Sequence, residues 1–127
     1  MKFTFAHYRI QEQVSVLYHN PRCSKSRAAL AILEERGVEF EVVRYLETPP
    51  SEAELHELLD KLNMTPLELM RRSEGAFKEH GLGDDSVSDE ERVRAMAEHP
   101  ILIERPVFIV ADNAVIGRPP ERVLELL

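Results

Sequence analysis

The sequence predicts an α/β protein whose sheet is interrupted by a helical insertion. Three observations lead to this fold class. Short apolar segments typical of strands lie in both end regions of the chain, a helical repeat of apolar residues follows the first of them, and three capping boxes fall between residues 51 and 91. The 127 residues can bury a core without cross-links. We expect an N-terminal arm over residues 1–13 and one domain over residues 14–127.

The first half of that domain predicts a strand–helix–strand unit. Residues 14–18 form a short apolar strand, and a turn containing Asn20 and Pro21 follows. Apolar residues then recur at helical spacing from Ser24, and Gly37 is a typical helix stop. Residues 38–45 alternate as a second strand. The two strands are expected to be parallel, joined by a right-handed crossover.

The middle of the chain predicts several helices. Capping boxes, in which a Ser or Thr is followed three residues later by Glu, begin at Ser51, Thr65 and Ser88. They define a helical insertion over about residues 51–99, with the glycine-containing loop at residues 81–87 as its most flexible part.

The last part of the chain predicts two more strands and a helix. Residues 107–110 and 114–116 are apolar, and Asp112-Asn113 between them is a hairpin turn. Pro119-Pro120 begins a terminal helix.

The acidic residues are concentrated in the insertion. The net charge is −7, which by itself argues against a nucleic-acid or membrane surface and against an anionic substrate. Residues 51–100 carry 6 basic and 13 acidic side chains, whereas residues 1–50 carry 7 and 6. The simplest interpretation is a solvated outer face of the helices. The segment 22–27 contains three basic residues and no acidic one, so an anion remains possible there.

Cys23, the single cysteine, lies at the turn between the first strand and the first helix. One thiol excludes an internal disulfide and a four-cysteine zinc site, and it fits a reducing cytoplasm. A lone cysteine is most often an inert small apolar residue. Here its neighbours are basic and polar, and a helix N-terminus with nearby cations lowers the pKa of a thiol. We therefore predict a reactive thiolate, with no metal ligand spacing around it.

His19 and Ser26 are candidates to assist this thiol. His19 lies four residues before Cys23 across a turn, close enough to take its proton or pair with the thiolate, although a turn histidine is often only a surface residue. Ser26 makes the motif C-x-x-S, in which the second sulfur of a C-x-x-C pair is missing. An oxidised Cys23 must therefore be resolved by an external thiol.

Three arginines are candidate oxyanion ligands. Arg105 and Arg118 each precede a proline, which holds their backbones extended, and the guanidinium group presents a rigid fork of donors. Arg71, late in the helix predicted from Pro66 and next to Arg72, is a weaker candidate. A surface position is the usual alternative for each of them.

The sequence resembles the glutaredoxin-coupled arsenate reductase family, in particular its arsenate-reductase-like subgroup. The matching segments are Y-H-N-P-R-C-S at 18–24, Y-L-E-T-P-P at 45–50, H-P-I-L at 99–102, E-R-P at 104–106 and G-R-P at 117–119. They occur in the right order over about residues 14–127. The resemblance implies a thioredoxin-like fold with a helical insertion and a cis peptide bond before Pro106.

The resemblance also implies a role for each candidate residue. Cys23 is the nucleophile, His19 lowers its pKa, Ser26 hydrogen-bonds near the thiolate, and the oxyanion is held by Arg71, Arg105 and Arg118, with Arg72 as a substitute for Arg71. The implied substrate is arsenate, with glutathione as co-substrate, glutaredoxin as partner and no bound cofactor.

Two other functions remain open from the sequence. Some single-domain bacterial proteins of the same fold class bind RNA polymerase and sense thiol stress. A glutathione-dependent thiol transferase acting on another substrate is the other alternative. The set of arginines separates the enzyme from the polymerase-binding regulator, since an adaptor has no need of it.

Overall fold

The computed structural model describes residues 15–127, so the arm at residues 1–13 and Val14 of the first predicted strand lie outside the described residues. The elements, in chain order, are β1 (Ser15–Tyr18), α1 (Ser24–Glu35), β2 (Glu41–Val43), α2 (Glu52–Leu62), α3 (Pro66–Leu69), α4 (Gly75–Glu79), α5 (Asp89–Glu98), a 3₁₀ helix (Pro100–Leu102), β3 (Val107–Val110), β4 (Asn113–Ile116) and a C-terminal 3₁₀ helix (Pro120–Leu126). The predicted α/β class and helical insertion are confirmed.

One four-stranded sheet with the order β2-β1-β3-β4 holds these elements together. β1 and β2 are parallel, as the crossover through α1 predicts, whereas β3 is antiparallel to both β1 and β4. Because β1 and β2 are parallel, their carboxyl ends meet at the same edge of the sheet. The turn that carries Cys23 begins at this edge.

The alternation of side chains along the strands produces two apolar layers. On one face Leu17 and Phe108 pack with Leu33 of α1 and Val123 of the C-terminal 3₁₀ helix. The other face is covered by the insertion, whose helices α2 and α5 contribute buried leucine, valine and methionine side chains. The insertion thus closes the second face of the sheet, and this buried packing fixes the positions of the loops that leave it.

The helix starts follow from local chemistry. In all three predicted capping boxes the Ser or Thr side chain accepts a hydrogen bond from the backbone N–H of the Glu three residues later. The Glu side chain accepts one from the backbone N–H of the Ser or Thr. The sequence missed α4, which has no capping side chain. Within residues 15–127 no helix has the length and apolar character that crossing a membrane requires.

Three predicted elements differ in extent or type. β2 is shorter than the predicted 38–45 because its pairing with β1 stops at Tyr18 and Val43. The hairpin loop contains Ala111 rather than Asn113, which already pairs within β4. The C-terminal helix is a 3₁₀ helix over Pro120–Leu126, which the proline start alone does not predict.

Arg92 of α5 holds the loop at residues 81–87 through two hydrogen bonds. This buried arginine donates from Nε to the Leu82 carbonyl oxygen at 2.9 Å and from Nη2 to the Asp84 carbonyl oxygen at 3.0 Å. Charge-assisted hydrogen bonds to buried carbonyls are among the stronger ones. The loop is thereby tied to α5 rather than projecting alone.

Candidate active site

Cys23 occupies the N-cap position of α1, with an extended backbone at φ −94° and ψ 123°. The preceding turn is tight: the Cys23 N–H donates to the Asn20 carbonyl at 3.0 Å, and the Asn20 side chain accepts from the Arg22 N–H at 3.0 Å. The Cys23 carbonyl accepts the first helical hydrogen bond, from the Arg27 N–H, at 3.0 Å. The thiol is therefore placed at the positive end of α1.

The surroundings of Cys23 favour the thiolate. Burial is the largest effect and raises the pKa, but the Ser26 N–H, the Arg105 guanidinium and the Lys25 N–H outweigh it, and the pKa of Cys23 is lowered. The Cys23 sulfur accepts no side-chain capping hydrogen bond from the first turn of α1. We therefore treat these N–H groups as directed partial charges at the helix N-terminus rather than as fixed hydrogen bonds.

We expect the alkylation of Cys23 by iodoacetamide to titrate below the value of an ordinary thiol, which is about 8.5. The rate should rise with pH through the folded pKa, since only the thiolate reacts. The chain contains one cysteine, so alkylation reports on this site alone, and urea-unfolded protein provides the reference curve. A midpoint equal to or above that of the unfolded protein contradicts an activated thiol.

His19 and Ser26 lie beside the thiol and bind each other. His19 Nδ1 and Ser26 Oγ are 2.6 Å apart, and the same Oγ accepts from the Asn20 N–H at 3.0 Å. Burial, together with the positive charges of Arg44 and Arg27, lowers the pKa of His19, so the ring is neutral at pH 7.

These contacts bear on the roles that the resemblance implies for Ser26 and His19. The Ser26 backbone N–H lowers the pKa of Cys23, while the Ser26 hydroxyl accepts from the Asn20 N–H of the turn. The His19 ring hydrogen-bonds to Ser26 and so contacts the same turn. Its role in lowering the pKa of Cys23 stays a prediction.

The structure brings Arg71 and Arg105 together through Glu74. Glu74 Oε1 accepts from Arg71 Nε at 3.3 Å and pairs with Arg105 Nη1 at 3.4 Å. Glu104 holds the other side of Arg71, with Nη1 and Oε1 2.9 Å apart. Arg72 is exposed, so the burial favours Arg71 as the site residue.

Arg118 joins the cluster through the backbone of Arg105. Its Nη1 donates to the Arg105 carbonyl oxygen at 3.2 Å. The peptide bonds before Pro106 and Pro119 are both cis. Arg105 therefore contacts all parts of the site: its guanidinium lies at the Cys23 sulfur and at Glu74, and its carbonyl holds Arg118.

Two polar atoms at this site are buried without a partner among residues 15–127, and both are donors. They are Arg105 Nε and the hydroxyl of Tyr45. Tyr45 is fully buried, and burial raises its pKa to about 12; the charges of Arg105, Cys23 and Arg71 all act on it. The Asn20 amide also acts on this hydroxyl but without the geometry of a hydrogen bond.

Among residues 15–127, no three His, Cys, Asp or Glu side chains lie close enough together to hold a metal ion. A groove of about 460 Å³ lies elsewhere, between α2 and the face of the sheet formed by β1, β2 and β3, and its lining includes Glu41, Glu54 and Glu57. Neither Cys23 nor the three arginines line it. The thiol chemistry and this acidic groove are therefore separate features.

Sequence reasoning gave no role to Glu74, Glu104 or Tyr45, although Tyr45 and Glu104 stand in two of the segments that match the family. Glu74 follows Arg71 at i+3, a spacing at which oppositely charged side chains meet, and this signal was available. Glu104 and Tyr45 are separated from Arg71 by 33 and 26 positions, and only the folded chain brings them together. Part of the acidity assigned to an outer face thus lies inside the site.

Comparison with known proteins identifies the family. The model of the ArsC family matches residues 18–126. The chain is 53% identical over 112 residues to "Uncharacterized protein YfgD" of Escherichia coli K12, covering 87% of this chain and 94% of that protein. It is 45% identical over 112 residues to an arsenate reductase of Neisseria meningitidis serogroup A, covering 87% of this chain and 96% of that protein.

A solved structure agrees with the sequence comparisons. The arsenate reductase from Vibrio cholerae superposes with a TM-score of 0.87 at 49% identity, covering 91% of this chain and 98% of that one. The thioredoxin-like fold and the resemblance described above are confirmed. By both its sequence and its fold, the chain belongs to the ArsC family.

Proposed function

We propose that this protein is an arsenate reductase that converts arsenate to arsenite, with glutathione and glutaredoxin supplying the electrons. One observation carries the proposal: the single thiol and three arginines, distant in sequence, lie in one cluster. A nucleophile beside guanidinium groups can attack an oxyanion while its negative oxygens are held. The relatives named arsenate reductase support arsenate as that oxyanion.

The roles of the residues follow from their contacts. The thiolate of Cys23 attacks arsenic, an As–S bond forms, and an As–O bond breaks with release of water. Arg105 holds both the thiolate and the oxyanion, while Arg71 and Arg118 hold further oxygens. His19 and Ser26 keep the turn in the shape that presents the sulfur.

The reductant must come from outside the chain, which has one cysteine. Glutathione displaces a second oxygen as water, forming another As–S bond. Both As–S bonds then break as the two sulfurs join in a mixed disulfide, which leaves two electrons on arsenic. The As(III) product takes up one water and leaves as arsenite. Glutaredoxin reduces the mixed disulfide and restores Cys23. This cycle needs a glutathione pool, which suits the cytoplasm, and we propose residues 14–127 as the unit that performs it.

The test is a coupled assay containing arsenate, glutathione, glutaredoxin and glutathione reductase. We expect NADPH oxidation that depends on arsenate and on both thiol components. Phosphate is the matched control, because it has the same shape and charge but accepts no electrons in this cycle. It should drive no NADPH oxidation and should compete with arsenate.

A different result would favour the thiol transferase. If Cys23 forms a disulfide with glutathione readily but arsenate stimulates no turnover, the proposal is wrong. The regulator that binds RNA polymerase is less well supported, since such a protein needs no cluster of Arg71, Arg105 and Arg118 around its thiol.

A further inference from the structure

We propose that the hydroxyl of Tyr45 donates a hydrogen bond to the oxyanion at Cys23, and so is an additional substrate-binding residue. This inference rests on the proposed function, since it needs an oxyanion in the site. It concerns a residue that neither the C-x-x-S motif nor the set of arginines includes. The position, the burial and the missing acceptor of this hydroxyl together support the role.

The position of Tyr45 follows from the parallel strands. β1 and β2 end at the same edge, and there the His19 N–H donates to the Val43 carbonyl oxygen at 2.8 Å. Tyr45 comes two residues later, beside the turn that carries Cys23. The charges of Cys23, Arg105 and Arg71 all act on its hydroxyl.

The burial of Tyr45 makes its missing partner costly. The residue has 0% exposure, and its ring packs at 6.3 Å from that of Tyr18. Within residues 15–127 no partner meets the geometry of a hydrogen bond with its hydroxyl. The Asn20 amide lowers the pKa of Tyr45 and so acts on the oxygen as a donor, which leaves the hydroxyl proton without an acceptor. Buried polar groups are nearly always paired, and an exception calls for an explanation. A phenylalanine would fill the same apolar space without this cost.

An acceptor bound in the site would explain why the Tyr45 hydroxyl is buried without a partner. Arg105 Nε is the other buried atom without a partner, and it is also a donor. Two donors that lack acceptors, next to a nucleophile, describe a place for a group rich in acceptor oxygens. The thiolate is a poorer explanation, because the contacts that lower its pKa come from α1 and Arg105 and do not include Tyr45.

The protonation state of Tyr45 suits a donor rather than a base. Its pKa, raised by burial to about 12, keeps the proton on the hydroxyl at neutral pH. A neutral hydroxyl donates a hydrogen bond to an anion without adding to the negative charge of the site. Hydrogen bonds to charged groups are worth more than those between neutral groups.

The experiment compares wild type with Tyr45→Phe and Tyr18→Phe. Arsenate protection of Cys23 from iodoacetamide is measured without any reductant. We expect the arsenate concentration for half-protection to rise roughly 10- to 100-fold in Tyr45→Phe, the usual range for losing a donor to an anion. Tyr18→Phe is the matched control, since the Tyr18 hydroxyl lies near Glu54 and Glu57 instead.

Two further readouts exclude a structural role. Without arsenate, the alkylation of Tyr45→Phe should titrate as in wild type, and its urea midpoint should not fall. Unchanged protection by arsenate, an equal loss in Tyr18→Phe, a shifted thiol titration or a lower urea midpoint each contradicts the proposal. If arsenate does not protect even the wild type, both the proposed function and the role of Tyr45 are wrong. If arsenate protects Tyr45→Phe as well as it protects the wild type, only the role of Tyr45 is wrong.

Discussion

Cys23→Ser is expected to reduce arsenate-dependent NADPH oxidation to the background of the reagents, a loss of at least about a thousandfold. A serine hydroxyl does not ionise near neutral pH, so neither the helix N-terminus nor Arg105 can turn it into a strong nucleophile. The chain offers no second thiol to take over. The coupled assay described above measures the effect.

The same variant controls for unfolding. Cys23 caps α1 without a capping hydrogen bond, whereas serine is among the preferred N-cap residues. We therefore expect Cys23→Ser to unfold at the urea midpoint of wild type or above it, with a free energy of unfolding up to about 1 kcal/mol higher. Turnover that survives in this variant would show that another group performs the attack, and it would remove the thiol from the mechanism.

This contrast suggests why cysteine stands at a helix start. A serine would cap α1 better, but it would bring no nucleophile to the positive end of the helix. The turn is instead held by Ser26, whose hydroxyl binds His19 and the Asn20 N–H. Ser26, the serine that ends the C-x-x-S motif, thus stabilises the turn, which the Cys23 side chain does not.

Much of the fold could be predicted because its signals are local. Each capping box at Ser51, Thr65 and Ser88 contains both of its partners within four residues, and all three form as expected. Likewise, β3 has the predicted bounds, since its apolar run is closed by turn residues. The parallel pairing of β1 and β2 follows from chain geometry and needs no distant information.

The remaining features depend on distant partners. The length of β2 is set by where β1 ends, which the alternating pattern of residues 38–45 does not contain. Glu74 reaches Arg105 over 31 positions, and Glu104 reaches Arg71 over 33. The chemistry of Cys23 and the contact of Glu74 with Arg71, three positions away, could be predicted from neighbouring residues. The contacts of Glu74 with Arg105 and of Glu104 with Arg71 could not.

The acidic balance of the chain is compatible with an anionic substrate. At physiological ionic strength the Debye length is about 8 Å, so distant surface carboxylates contribute little at the thiol. The groups that decide the local potential are the arginines and the end of α1. Glu74 and Glu104 do lie close, but they pair with Arg71 and Arg105 and hold their donors in place.

Arg105→Ala is expected to lower kcat/KM for arsenate by about 100- to 1000-fold, which is the usual cost of losing an oxyanion donor. Two losses combine in this variant. The oxyanion loses a guanidinium, and the thiolate loses a cation, so the pKa of Cys23 should rise and alkylation should shift to higher pH. The Arg105 carbonyl that holds Arg118 belongs to the backbone and remains.

Arg105→Lys separates these two losses. An ammonium group restores the positive charge but not the planar fork of donors. In Arg105→Lys we expect the pKa of Cys23 to lie closer to the wild-type value than it does in Arg105→Ala. We expect kcat/KM to stay below the wild-type value by roughly tenfold or more. Arg72→Ala, which removes the same charge from an exposed side chain near the site, should leave both quantities unchanged.

The joint outcome decides what Arg105 does. A shifted thiol titration with normal kcat/KM in Arg105→Ala would limit this residue to activating Cys23. A lowered kcat/KM with an unshifted titration would limit it to the oxyanion. Because the guanidinium lies at the sulfur and its Nε lacks a partner, we expect both to change together. If neither changes, the cluster of arginines is not the substrate site.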